Sequence, residues 1–271
     1  MLHSIYLSSV ALEKNRWTME KLPSITASQW LERALSDGFD GMELWENHYL
    51  LVERSEQKKL EALGHIGIYN TYAAFDQGLS DDLRRVAEAT WVLRPAGIKF
   101  NLGKSDGNIQ NRYSVDEIRY MVDTALSFIE LLPPDVHLLS ECHNGSAMQD
   151  PYTARNLFEQ LGQRVGAIIH LPASIEDLSD RVKYYGERIC HIHTQYRPDP
   201  FAPWPEFPFL PLSAVEQDMQ SALNQLNRYG FTGSASIEFC AGGADAESCY
   251  AGALADLHWL LPYKHEHHFC K

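Results

Sequence analysis

Residues 6–17 read YLSSVALEKNRW: a strand-like apolar run, two serines, a short apolar stretch and then charge. In an open doubly wound α/β sheet, the turn after the first strand is usually glycine-rich, because its backbone N–H groups cradle phosphate. This turn contains no glycine. The parallel architecture the chain encodes must therefore be sought elsewhere, in what repeats downstream of it.

HSIYLS, the run that opens into this turn, is the first of eight; the others are GMELW, IGIYNTY, GIKFNLG, VHLLSE, VGAIIHL, ICHIHT and SASIEF. Most are nearly continuous in apolar residues, as strands covered on both faces must be. Segments of helical spacing lie between them. TASQWLERALSDG opens on a Thr or Ser cap and closes on Gly38, and SDDLRRVAEATWVL starts at Ser80 with two acids. SVDEIRYMVDTALSFIELL follows, then DPYTARNLFEQLG, with Pro151 in its first turn and Gly162 at its end. SIEDLSDRVKYYG, SAVEQDMQSALNQLNRYG and DAESCYAGALADLHWLL complete the series. Eight βα units close into a (β/α)8 TIM barrel, and 271 residues match the roughly 250 such a barrel needs. No break in composition marks a second domain, so residues 1–271 are read as one.

Composition limits the partners. Lys and Arg number 23 against 36 Asp and Glu, a net charge of −13, which repels nucleic acid and anionic membranes. No apolar run is long enough to span a bilayer. The first residues lack the basic start and apolar core of a secretory signal. The five cysteines are an odd set without CxxC spacing, so a reduced, cytoplasmic setting is expected. Cys142 is a conceivable nucleophile, but strand alternation points it away from the face of Glu141.

In a barrel, the carboxyl ends of the strands converge on one mouth. Here those ends carry Glu43, Asn70, Lys99, Glu141, His143, His170, His191 or His193, and Glu238. Packing alone would have ended these runs in something neutral. Alternation places Glu141 and His143 on one face. Glu141, His170, His193 and Glu238, from four consecutive strands, form a set of two carboxylates and two imidazoles. Such a set suits one divalent ion, Mn, Zn, Fe or Co, with positions left for water or substrate oxygens. His193 is preferred to its same-face neighbour His191 because it lies nearer the strand end. The competing reading has the histidines bonded to backbone carbonyls and the glutamates paired with Lys99 or Arg197.

With these residues in view, GFDGMELW, LLSECHNGSAMQDP, CHIHTQYR and GSASIEF resemble the second, fifth, seventh and eighth strands of the xylose isomerase-like TIM barrels. That superfamily includes sugar phosphate isomerases and epimerases, inosose dehydratases and endonuclease IV, and the resemblance runs over nearly the whole chain. It implies that Glu141, a residue of the sixth strand, a His of the seventh and Glu238 bind one metal. Two departures stand out. IIHLPAS places His170 where the family has Asp, and Ala173 where it has a substrate-touching His. HTQYR replaces a continuation from His through Lys to Asp.

The function expected is metal-dependent isomerisation or epimerisation of a sugar or polyol-like substrate, with Glu141 and Glu238 moving protons through an enediolate. A lyase or dehydratase using the same first proton transfer is the alternative, and a barrel that only binds a small molecule is the alternative of another class. His143 would serve as an auxiliary acid or hydrogen-bond donor, or would orient Glu141, while Lys99 and Arg197 would hold an oxyanion or an acidic group. The segment QYRPDPFAPWPEFPFLPL, residues 195–212 with six prolines, reads as a stiff aromatic lid whose Trp204 faces a ring of the substrate. The tail YKHEHHFCK, with His265, His267, His268 and Cys270, reads as a surface tail. Barrels of this kind often pair, so a homo-oligomer is compatible with the sequence without being specified by it.

Overall fold

All eight apolar runs form strands. The computed structural model describes residues 2–104, 106, 108–198, 209–243 and 245–264. The strands are β1 (Leu2–Ser8), β2 (Gly41–Trp45), β3 (Ile66–Asn70), β4 (Gly97–Phe100), β5 (His137–Ser140), β6 (Val165–Leu171), β7 (Ile189–Thr194) and β8 (Gly233–Ile237). Each pairs in parallel with its sequence neighbours, and β8 returns to β1 with Leu7 opposite Ile237, which closes the barrel. Closure leaves no sheet edge. The (β/α)8 reading of the sequence holds.

The helices are α1 (Ala27–Ser36), α2 (Asn47–Leu50), α3 (Arg54–Leu63), α4 (Asp81–Leu93), α5 (Val115–Ile129), α6 (Pro151–Leu161), α7 (Ile175–Tyr185), α8 (Glu216–Arg228) and α9 (Ala246–Leu260). Their starts are chemically marked. The side chains of Ser80, Asp150, Ser174 and Asp245 each accept a backbone N–H of the first turn, and Ser114 forms a reciprocal capping box with Glu117. The helices between β2 and β3 are not apparent from periodicity. Helix α2 is a single turn, and α3 buries only Leu60.

Two apolar regions result. The larger lies between sheet and helices; the smaller fills the barrel with Tyr6, Ile68, Leu139 and Ile168. Large and small residues must alternate there. A Cβ on Gly67 would sit 2.2 Å from the Tyr6 ring, so glycine makes room for the tyrosine.

One buried carboxylate fixes the return of the chain after β7. Asp256 of α9 accepts the backbone N–H of Leu212 at 2.8 Å, at the start of the turn leading into α8. Burial raises the Asp256 pKa to about 6, partly offset by that hydrogen bond. The folded pKa exceeds the unfolded one, so ionisation favours unfolding and stability falls as pH rises from about 4 to about 6. Asp256→Asn is therefore expected to gain on the order of 3 kcal/mol relative to wild type between pH 4 and pH 7. Chemical denaturation at several pH values checks this; parallel curves for the two proteins would contradict it.

Candidate metal centre and cavity

The strand register brings the four expected side chains together. His170 lies opposite His193, and His193 opposite Ser236, two residues before Glu238. Glu141 and Glu238 immediately follow the last residues of β5 and β8. One ligand atom from each of Glu141, His170, His193 and Glu238 lies within 4.8 Å of every other. Glu141, His193 and Glu238 are buried and His170 is partly so. The left-handed φ of +49° at Cys142 breaks the alternation after Glu141. His143 still reaches the same cavity, with its ring centroid 6.4 Å from that of His170. Cys142 is buried, and burial pushes its thiol up to about 11, where it is a poor nucleophile.

The contacts show what the cluster lacks. Glu141 meets Lys99 Nζ at 2.9 Å and His170 Nε2 at 3.0 Å. Burial opposes ionisation of Glu141, but Lys99, His170 and His193 outweigh it and hold the carboxyl well below the usual range. Lys99 is thus neither solvated nor lone: it is fully buried, ion-paired, and 4.3 Å from the centroid of the Tyr72 ring. His193 Nδ1 lies 3.4 Å from Glu141 and 3.3 Å from Glu238 Oε2. Neither His193 Nδ1 nor Glu238 Oε2 makes a hydrogen bond among the described residues. Burial disfavours a charged His193, yet Glu238, Glu43 and Glu141 raise its pKa well above the ordinary value. The pocket draws a positive charge onto its central imidazole.

A deeper layer supports that imidazole. Glu43, fully buried in β2, lies 3.0 Å from His193 Nε2 and 3.5 Å from His191 Nε2. It also accepts from Asn70 Nδ2 at 2.8 Å. Burial opposes ionisation of Glu43 as well, and the two histidines again prevail, holding its pKa well below normal. His191 is bonded to Ser234 and Ser236, and burial lowers its pKa. The choice between the two histidines is therefore decided by depth: His193 joins the quartet, and His191 lies below it. With neutral imidazoles, Glu43, Glu141 and Glu238 against Lys99 leave two negative charges without compensation in the cluster. Two buried orphan atoms and that charge deficit fit a divalent ion bound by Glu141, His170, His193 and Glu238. Gln195 Nε2 lies 2.7 Å from His170 Nδ1; an amide carries both donor and acceptor, so it can meet either tautomer of the ligand.

The quartet opens into a cavity of about 660 Å³. Its lining includes the expected Lys99, His143 and Arg197, together with Tyr72, Gln195 and Arg16, which the sequence did not single out. Trp204 and most of the proline-rich loop lie outside the described residues, as does the tail with His265, His267, His268 and Cys270. The opposite wall is aromatic. Phe209 stacks on Phe239 at 4.8 Å, the Arg16 guanidinium lies 4.8 Å from the Phe239 centroid, and Trp17 stands at the rim, 59% exposed. A carboxylate anchors the loop that carries Arg16 and Trp17. Buried Glu13 accepts from Asn15 N, from Ser24 N and Oγ, and from His48 Nε2 at 2.9 Å. His48 Nδ1 in turn meets Ser9 Oγ.

No family model matches the sequence, and no curated protein does either. Solved structures do match the fold. A probable 3-DHS dehydratase, AsbF, of Bacillus anthracis superposes with a TM-score of 0.67 at 16% identity, over 96% of this chain and 98% of that one. A D-psicose 3-epimerase of Clostridium cellulolyticum gives 0.64 at 12%, over 94% and 97%. The IOLI protein with a bound zinc atom gives 0.64 at 15%, over 97% and 99%. The chain shares the closed (β/α)8 barrel fold of these proteins.

Glu13→Gln removes a buried acceptor that satisfies four donors at once. It is expected to cost about 2–4 kcal/mol of unfolding free energy, measured by denaturant titration at neutral pH. An unchanged midpoint would show that the network does not hold the loop.

Proposed function

We propose that the protein is a metal-dependent enzyme that moves protons on a carbohydrate-like substrate, as an isomerase or epimerase. One observation carries this reading: four ligand atoms from consecutive strand ends converge within 4.8 Å, and two of them are buried without a hydrogen bond. Glu141, His170, His193 and Glu238 would hold the ion, which would supply Lewis acidity toward a carbonyl or hydroxyl oxygen. The named activities of similar folds, a 3-epimerase and a probable dehydratase, support proton chemistry at such a mouth.

The chain's own groups divide the work. Glu238 is the base that takes a proton from carbon, through the carboxylate oxygen not given to the ion. Glu141 is pinned by Lys99 and His170, and it returns a proton only if that hold loosens. His143, at the rim beside His170, donates to a substrate oxygen. Arg197, in the lining, faces whatever acidic group the substrate carries. The aromatic wall opposite the quartet suits a substrate with a hydroxylated end at the metal and a flat apolar part against Trp17 and Phe239. The Lys99–Glu141 pair also favours a second reading. With one carboxylate tied up, a single base suffices for elimination, and the site would act as a lyase.

Protein purified without added ions is expected to carry about one equivalent of Mn, Zn, Fe or Co by mass spectrometry, most of it lost in Glu238→Gln. Metal-free protein that takes up none on addition would overturn the reading. Product mass separates the two reactions: an isomerase conserves it, whereas a lyase releases a fragment. Trp17→Ala is expected to weaken binding of an aryl glycoside about tenfold while leaving binding of the free sugar unchanged, read by calorimetry. Equal losses for both ligands would remove the apolar subsite.

A further inference from the structure

Glu43 takes no part in the chemistry just described. It does not line the cavity, it is fully buried in the middle of β2, and burying a carboxylate costs several kcal/mol unless its partners restore what water gave. Its partners are specific. Oε1 accepts from Asn70, and Oε2 lies 3.0 Å from His193 Nε2, with His191 Nε2 at 3.5 Å. Resting on the metal-site reading above, we propose that Glu43 is the positioning residue for His193: it fixes the ring and the tautomer that present Nδ1 to the ion.

The argument is one of donors and acceptors. An ionised carboxylate can only accept, so each group bonded to it must donate. Asn70 meets that demand with its amide, and His193 must meet it with Nε2–H. When an ion takes the place of the second proton that the carboxylates favour, the other nitrogen is the one that meets it. That nitrogen, Nδ1, is the one that faces Glu141 Oε1 and Glu238 Oε2 and makes no hydrogen bond among the described residues. The ring orientation is fixed from the side as well. His191 lies edge-on to His193, with centroids 5.3 Å apart and planes at 89°, and is itself bonded to Ser234 and Ser236. Ligating histidines generally give their second N–H to such an acceptor, which sets the ring and makes it a better donor to the metal.

Glu43→Gln keeps the shape but carries an amide, which no longer obliges Nε2 to hold the proton. Zinc affinity, measured by competition with a chromophoric chelator, is expected to fall about 10–100-fold. Two-bond ¹H–¹⁵N spectra of the zinc-loaded wild type should show His193 protonated at Nε2, and thermal melts should show the variant folded. Should Glu43→Gln not fold, Glu43→Asp carries the test, because one methylene less withdraws the contact and affinity should drop. Wild-type affinity in the folded variant, or a His193 bound through Nε2, overturns the positioning role while leaving the metal site intact. A wild-type protein that binds no zinc overturns the metal reading itself, and the inference with it.

Discussion

Three carboxylates surround one imidazole at the mouth of this barrel, and the ammonium of Lys99 is ion-paired with one of them. Glu43, Glu141 and Glu238 all lie within 3.4 Å of a His193 nitrogen, and all are shielded from water. Charges so placed are tolerable only when compensated. Lys99 answers Glu141, and an ion at the proposed site would answer the remainder. In its absence the imidazole itself is driven toward protonation. The strand register, the buried polar layer and the choice of His193 over His191 all serve to hold this deficit in place.

The fold supplies the rigidity that such a cluster needs. His170 and His193 lie within adjacent strands, and Glu141 and Glu238, one residue past theirs, still donate their backbone N–H to Phe100 and Thr194, so the barrel backbone holds all four. Other lining residues sit on connections: Arg16 and Trp17 after β1, and Tyr196, Arg197 and Phe209 after β7. On the proposed reading, chemistry would sit at the strand ends and selectivity on the loops, the usual division in (β/α)8 barrels.

Much of this was legible in the sequence, for identifiable reasons. Strands covered on both faces must be apolar throughout, so all eight stood out, and an interruption at a strand end is conspicuous; Glu141, His170, His193 and Glu238 announced themselves in that way. Helix α3 did not, because with only Leu60 buried it leaves almost no periodic signal. Glu43 and Asn70 were visible as polar strand residues, but their role was not, since the partner His193 is 150 residues away and meets Glu43 only across the closed barrel. The ion pair of Lys99 with Glu141 was among the sequence readings, as the competing account of the glutamates, and the two strands are adjacent. The place of Arg16 in the cavity lining depends on a loop anchored by Glu13 and His48, and no spacing rule predicts that contact.

The most direct test is crystallographic. Crystals soaked in zinc, with data collected on both sides of the zinc absorption edge, are expected to show one strong anomalous peak about 2.0–2.2 Å from Glu141, His170 Nε2, His193 Nδ1 and Glu238. A mouth without a peak, with zinc found only at the histidines near the C-terminus, would contradict the account.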